Sequence, residues 1–186
     1  GFKLRDLFTA IREITSRVDA PVLVMSYWNP IVQYGVDRFA DDLKAAGGAG
    51  IITPDITPEA AEEWIAASKR TGLDRVFLAA PTSTEARLEL ITEASTGFIY
   101  TVSTMGITGE RASLDANART LVGRLREHGA ARACVGIGIS TAEHVAGVLE
   151  YADGAIVGSA LVRALAADGV AGVRAVAAAL AEGTQR

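Results

Sequence analysis

Residues Arg132–Ser140 read RACVGIGIS, and residues Asp153–Ala160 read DGAIVGSA. Each is a short apolar run that ends in a glycine turn, and a stretch with helical spacing follows each. These two turns decide between folds. A chain of alternating strands and helices can wind as an open sheet with helices on both faces, or close into a barrel. The open form predicts a glycine fingerprint after its first strand. Here the first strand is followed by Trp28-Asn29-Pro30 with no G-x-G-x-x-G, and the glycines gather after the last two strands. In (β/α)8 barrels a phosphate commonly sits between the loops after strands 7 and 8, at the N-terminus of a short helix. Gly136-Ile137-Gly138 and Gly158-Ser159-Ala160 occupy such places if the last two visible strands are the seventh and eighth. The expectation is therefore an α/β fold of the TIM-barrel type, with two strands unaccounted for.

Working outward, four further strand candidates precede these two: Pro21–Tyr27, Ala49–Asp55, Asp74–Ala80 and Gly97–Thr104. Most are nearly continuous Val, Ile, Leu, Phe and Ala, as expected of parallel strands buried on both faces. The six begin about 26 residues apart, a natural length for a βα unit. Between them lie helical stretches. Phe2–Val18 places Leu4, Leu7, Phe8, Ile11 and Ile14 on one face, the spacing of a surface helix. Thr57-Pro58-Glu59 offers a helix start before Ala60–Lys69, and Ser83 or Thr84 can cap Glu85–Ala94. Val36–Ala45, Leu114–Glu127, Ala142–Leu149 and Val170–Glu182 complete the series. Met105–Arg111 has two glycines and no apolar period, so it reads as a mobile loop. No linker or low-complexity stretch divides residues 1–186, which read as a single domain.

Composition bounds the partners. Among 186 residues, 18 Lys and Arg stand against 22 Asp and Glu, for a net charge of −4. That balance, without basic runs, argues against nucleic acid as the main partner. One cysteine cannot form an internal disulfide, which fits a reducing, cytoplasmic compartment. Lys3, Arg5, Asp6, Arg12 and Glu13 interrupt the apolar pattern at the start, so no signal peptide is expected. Asp168, Arg174 and Glu182 break the Ala/Val-rich tail, so no membrane span is expected there.

The chemistry points first to an anion. Gly106–Gly109, Gly136–Gly138 and Gly158-Ser159 are three glycine turns after consecutive late strands. Glycine lets the backbone approach an anion closely, so that several main-chain N–H groups can point at one phosphate. Ser159 adds a hydroxyl, and Ser159–Ala164 can open a helix whose positive end faces the anion. Any one turn is as well explained by the tight geometry of a βα connection; three together favour a phosphate site. Asp55 ends the second visible strand, where a barrel carboxylate faces the catalytic end, or else forms a turn or caps the helix at Thr57-Pro58. Tyr27 and Tyr100, with Met25, Ile52 and Ile137, can wall a planar apolar ligand or simply fill the core. Asn29 can shape a loop or bind a ligand. His128 suits a helix C-terminus, His144 has no acidic or cysteine residue at metal-ligand spacing, and Cys134 reads as a small core residue. No metal site is expected. Only Asp55 and Glu110 stand near the proposed mouth as acid/base candidates.

These motifs, in order, resemble the alpha subunit of tryptophan synthase, with wording nearest to actinobacterial members. The resemblance runs over essentially all 186 residues. Its most specific parts are Met25-Ser26-Tyr27-Trp28-Asn29-Pro30-Ile31, Ile52-Thr53-Pro54-Asp55, Phe77-Leu78-Ala79-Ala80-Pro81-Thr82 and Gly97-Phe98-Ile99-Tyr100. Met105–Gly109, Val135–Ser140 and Ala152–Ala160 close the match. The resemblance implies retro-aldol cleavage of indole-3-glycerol phosphate to indole and glyceraldehyde 3-phosphate. It implies a beta subunit as partner, which holds pyridoxal phosphate and joins the indole to serine, and no cofactor in this subunit. By the same resemblance, Gly109, Gly138, Gly158 and Ser159 hold the substrate phosphate, and Met25, Ile52, Tyr100 and Ile137 line the indole pocket. Thr108 would orient a catalytic aspartate, and Asp55 would belong to the face that communicates with the beta subunit.

Three departures qualify that picture. Many relatives carry an arginine where this chain has Thr104, and an aromatic residue where it has Ile137. The family's catalytic glutamate and aspartate belong to the second barrel strand and the loop after it. Gly1-Phe2-Lys3-Leu4 matches the start of the second barrel helix, so strands 1 and 2 and both carboxylates fall upstream of Gly1. The last six βα units remain, as one incomplete barrel domain. Two alternatives to the enzyme follow: a phosphate-binding or beta-subunit-binding piece without chemistry, or another phosphate-binding barrel. The ordered motifs disfavour the last. Without the acid and base, these residues alone are expected to be inactive, and six strands taken from eight are expected to expose two edges prone to pairing.

Overall fold

The computed structural model describes residues 3–102, 111–136 and 138–185, with the backbone alone at 111–114. Its contacts divide the chain into two compact units. The first comprises residues 1–78 and 89–99, the second residues 79–88 and 100–186.

In the first unit the order is α1 (Leu4–Thr15), β1 (Leu23–Met25), α2 (Trp28–Tyr34), α3 (Val36–Ala45), β2 (Gly50–Ile52), a 3-10 turn (Pro58–Ala60), α4 (Glu62–Thr71) and β3 (Asp74–Val76). The three strands form a parallel sheet in the order β1-β2-β3, with Met25 opposite Ile52 and Ile52 opposite Val76. Parallel neighbours need a crossover, and the helices supply it. Phe8 and Ile11 of α1, Ile31 of α2, Phe39 and Leu43 of α3 and Trp64 of α4 are buried with Ile51 and Val76. Phe8, Tyr34 and Phe39 meet as an aromatic cluster with ring centroids 5.6–6.3 Å apart. The expected apolar face of α1 is thus half realised, because Ile14 remains 46% exposed.

One buried cation belongs to this unit. Arg75, on β3, is 6% exposed. Its Nε donates to the Ala94 carbonyl at 2.7 Å and its guanidinium to Ser68 Oγ at 2.9 Å, while Thr96 Oγ1 accepts from its backbone N–H. Burial pushes the guanidinium pKa down from its ordinary value. The hydrogen bonds hold the charge in place by tying β3 to α4 and to the segment after residue 93.

The second unit contains β4 (Leu78–Ala79), α5 (Glu85–Ala94), β5 (Ile99–Val102), α6 (Arg111–Glu127), β6 (Ala133–Gly136), α7 (Ala142–Leu149), β7 (Gly154–Ala155) and α8 (Ser159–Glu182), although Leu78, part of α5 and Ile99 fall in the first. The sheet order is β4-β5-β6-β7, and β6 and β7 are parallel with Cys134 opposite Gly154. Their register is fixed twice at one corner: Asp153 N–H donates to the Ala133 carbonyl, and Ala133 N–H donates to Asp153 Oδ2, both at 2.9 Å. Leu121, Val122 and Leu125 of α6, Val135 of β6, Val145 and Val148 of α7 and Leu180 of α8 are buried.

Several expected boundaries move. The strand expected over Asp74–Ala80 is interrupted at Phe77, and among the described residues the strands at Leu23–Met25, Gly50–Ile52 and Gly154–Ala155 are shorter than their apolar runs. Asn29, a candidate to shape a loop, lies instead in a helix over Trp28–Tyr34; Pro30 lies in its first turn, where a missing N–H costs nothing. Thr57 makes no side-chain cap and opens only the 3-10 turn, whereas Thr84 Oγ1 accepts from Arg87 N–H and caps α5. By length and composition alone α8 is apolar enough to cross a membrane. Gly169, at φ 62° and ψ −150°, breaks it into two stretches, each shorter than the roughly 20 residues a span needs.

The start of α5 is also anchored electrostatically. Arg124 donates to Glu85 and to the carbonyls of Pro81 and Ser83, and His128 Nε2 lies 2.9 Å from Glu85 Oε2. Hydrogen bonds from His128 first, then Arg124, hold the Glu85 carboxyl below the usual glutamate range. A carboxylate with a lowered folded pKa stabilises the fold above its unfolded value and loses that contribution as the pH falls through the folded one. Glu85→Gln should therefore lower the melting temperature at neutral pH, and the gap to the parent should close below about pH 4. Melting curves across that range check this; a gap independent of pH contradicts it.

Candidate functional site

The ends of β6 and β7 deliver two glycine turns to one place. A cavity of about 350 Å³ is lined by Tyr100 and Val102 of β5, Gly136 at the end of β6, Gly138 and Ile139 after it, and Ile156, Gly158, Ser159, Ala160 and Arg163 after β7. Ile156 N–H still donates to the Val135 carbonyl, so the chain leaves the sheet only after Ile156 and turns into α8 within two residues. Gly158 is the residue before the helix. Its carbonyl accepts from the N–H groups of Leu161 and Val162. The N–H groups of Ser159 and Ala160 precede those first intrahelical donors, and a helix start leaves such donors for another acceptor. Together with the helix dipole they make the cavity floor attractive to an anion.

The glycines act in different ways. At Gly136 a Cβ would stand 2.6 Å from Tyr100 Oη and 2.9 Å from its Cε1, so glycine is needed for the ring to lie across β6. Gly138 has φ +69°, a backbone conformation that other residues rarely adopt. At Gly138 and Gly158 a Cβ would meet nothing within 4 Å, so the backbone there is open to a ligand. Burial pushes the Tyr100 phenol pKa up, which keeps the wall of the cavity uncharged.

The residues expected to bind phosphate thus converge in part: Gly138, Gly158 and Ser159 line one cavity with Tyr100 from the expected indole pocket. Gly109, Thr108 and Ile137 lie outside the described residues, as do Thr104, Gly106 and Glu110. Met25 and Ile52 sit opposite each other in the first unit, and Met25 is 56% exposed. Asp55 is exposed, and both its carboxylate oxygens accept the Trp28 N–H, at 2.9 and 3.0 Å. It therefore secures the start of α2 rather than the helix that follows it, and joins the loops after β1 and β2. Arg163 was not singled out by sequence reasoning; its position four residues after Ser159, one helical turn on, was the available signal.

Elsewhere the candidates fill structural places. His128 pairs with Glu85, and Ser140 N–H donates to His144 Nδ1 at 3.3 Å. Burial pushes the Cys134 thiol up to about 11, so it is protonated and unreactive at neutral pH. Among the described residues no group of three His, Cys, Asp or Glu could hold a metal ion.

A family model described as "Tryptophan synthase alpha chain" matches residues 1–185. The tryptophan synthase alpha chain of Leifsonia xyli is 69% identical over all 186 residues, which span 71% of that relative. The alpha chain of Nocardia farcinica is 50% identical over 185 residues, 69% of its length. Among solved structures, a tryptophan synthase of Mycobacterium tuberculosis is 46% identical with a TM-score of 0.92, covering all of this chain and 70% of that one. A tryptophan synthase complex of Pyrococcus furiosus is 33% identical with a TM-score of 0.85, covering 99% and 74%.

The close approach at Gly136 gives a test of the cavity wall. Gly136→Ala should cost about 1–3 kcal/mol by displacing the Tyr100 ring, and much less when Tyr100 is also replaced by alanine. Urea unfolding of the two single variants and the double variant measures this. Strictly additive effects would contradict the packing described.

Proposed function

The chain belongs to the tryptophan synthase alpha chain family, and from that premise we propose that these residues hold the phosphate end of indole-3-glycerol phosphate for retro-aldol cleavage to indole and glyceraldehyde 3-phosphate. The observation that carries the proposal is the cavity at the ends of β6 and β7, which gathers Gly138, Gly158 and Ser159 at the start of α8 beside Tyr100. The phosphate receives the Ser159 and Ala160 N–H groups and the Ser159 hydroxyl; Gly109, which the family resemblance adds to this set, lies outside the described residues. Tyr100, which lines this cavity, walls the indole ring. Residues 1–186 are in this reading one incomplete (β/α)8 barrel domain, as the unbroken family match over 1–185 supports.

Cleavage requires a proton delivered to the indole ring while another leaves a hydroxyl of the glycerol chain. The described lining of the cavity contains no carboxylate, and the family's glutamate and aspartate have no matching position among these residues. Thr108 would orient that aspartate when it is present. These 186 residues by themselves therefore bind the substrate without turning it over. The family's alpha chain uses no cofactor, and pyridoxal phosphate belongs to the beta subunit. A beta subunit is the proposed partner. The Pyrococcus furiosus relative was solved as a tryptophan synthase complex, and Asp55, which joins two loops of the first unit, would lie on the contacting face. The cytoplasm is the proposed setting.

Equilibrium dialysis and an indole-release assay on this chain test both parts. Indole-3-glycerol phosphate should be retained, Gly158→Val should abolish retention by filling the space beside the helix start, and no indole should form above the uncatalysed rate. Indole release at an enzymatic rate would overturn the division between binding and chemistry. Absence of retention would overturn the site.

A further inference from the structure

The cavity at the start of α8 has one charged side chain in its described lining, the exposed Arg163. Ser159 is the first residue of α8, so Arg163 lies in its second turn, one helical turn beyond Ser159 and on the same face. Long side chains on a helix point back toward its N-terminus, and Arg163 lines the same cavity as Ser159 and Ala160. A cation there opposes the positive end of the helix dipole. Among the described residues Arg163 has no ion pair or hydrogen bond, although Arg70, Arg119, Arg124 and Arg126 each engage one or more acidic side chains. Among the described residues, a guanidinium without an acidic partner, two main-chain donors at a helix start and a hydroxyl therefore border one cavity, a set that suits an anion with several acceptor oxygens.

Resting on the phosphate site proposed above, we propose that Arg163 is a binding and specificity residue of that site, supplying the charge that selects a doubly ionised phosphate group over uncharged or singly charged ligands. The backbone donors fix where the phosphate sits. Arg163 adds a planar fork of donors matched to two phosphate oxygens. A bound anion also offsets whatever repulsion this cation feels from the positive end of the helix.

Thermal unfolding of the 186-residue chain, titrated with inorganic phosphate at constant ionic strength, tests this on the parent, Arg163→Gln, Arg163→Lys and Ser159→Ala. Phosphate should raise the melting temperature of the parent by mass action. Without phosphate, Arg163→Gln should melt at or above the parent temperature; with phosphate it should need about tenfold more anion for the same rise. Arg163→Lys should fall between them. Ser159→Ala should also weaken the response, but without stabilising the empty protein. An unchanged phosphate response in Arg163→Gln, with Ser159→Ala impaired, would overturn the role of Arg163 and leave the site standing. No phosphate response in the parent would overturn the site and this role together.

Discussion

Parallel pairing imposes a geometric obligation on every other part of the molecule. Two parallel strands cannot be joined by a tight turn, so each must be followed by a helix that returns the chain to its starting end. The loops after neighbouring strands of a sheet then leave from the same end. In the second unit this is what brings Gly138 and Gly158 together, from the turns after β6 and β7, although 20 residues of chain separate them. In the first unit it lets Asp55, after β2, reach the Trp28 N–H, after β1. Function can collect at such an end because the fold already has, and the reciprocal bonds of Asp153 and Ala133 hold the register on which that collection depends.

What was legible in the sequence follows from which signals are local. The spacing of apolar residues marked α3 and α7 with the boundaries observed, because Val36, Phe39, Ala40 and Leu43 or Val145 and Val148 recur at helical intervals within their own segments. Strand ends were less legible. An apolar run continues past the last ladder hydrogen bond, and nothing within the run marks where pairing stops. The helix at Trp28–Tyr34 was hidden because its stabilising acceptor, Asp55, lies 27 residues away. Arg75 was hidden for the same reason: a charged residue within an apolar strand gains its partners only from Ser68 and Ala94.

The candidate site shows the same division. The glycines announced an anion site because a turn that needs no side chain can be read from composition and order. Which glycine serves packing and which leaves space for a ligand was not readable. Gly136 admits the Tyr100 ring, whereas Gly158 faces open space. Arg163 escaped notice because one arginine on an amphipathic helix ordinarily marks a solvated face. Its meaning comes from the cavity it lines and from the absence, among the described residues, of an acidic neighbour.

The central claim is that the turns after β6 and β7 form one phosphate cradle built from main-chain donors. Backbone amide chemical shifts report on those donors individually. Titration of the isotope-labelled chain with inorganic phosphate should move the amide resonances of Gly138, Gly158, Ser159 and Ala160 together, with one common binding curve, while those of the buried β2 residues Gly50 and Ile51 stay in place. Shifts confined to other surfaces, or separate curves for the two turns, would contradict the account.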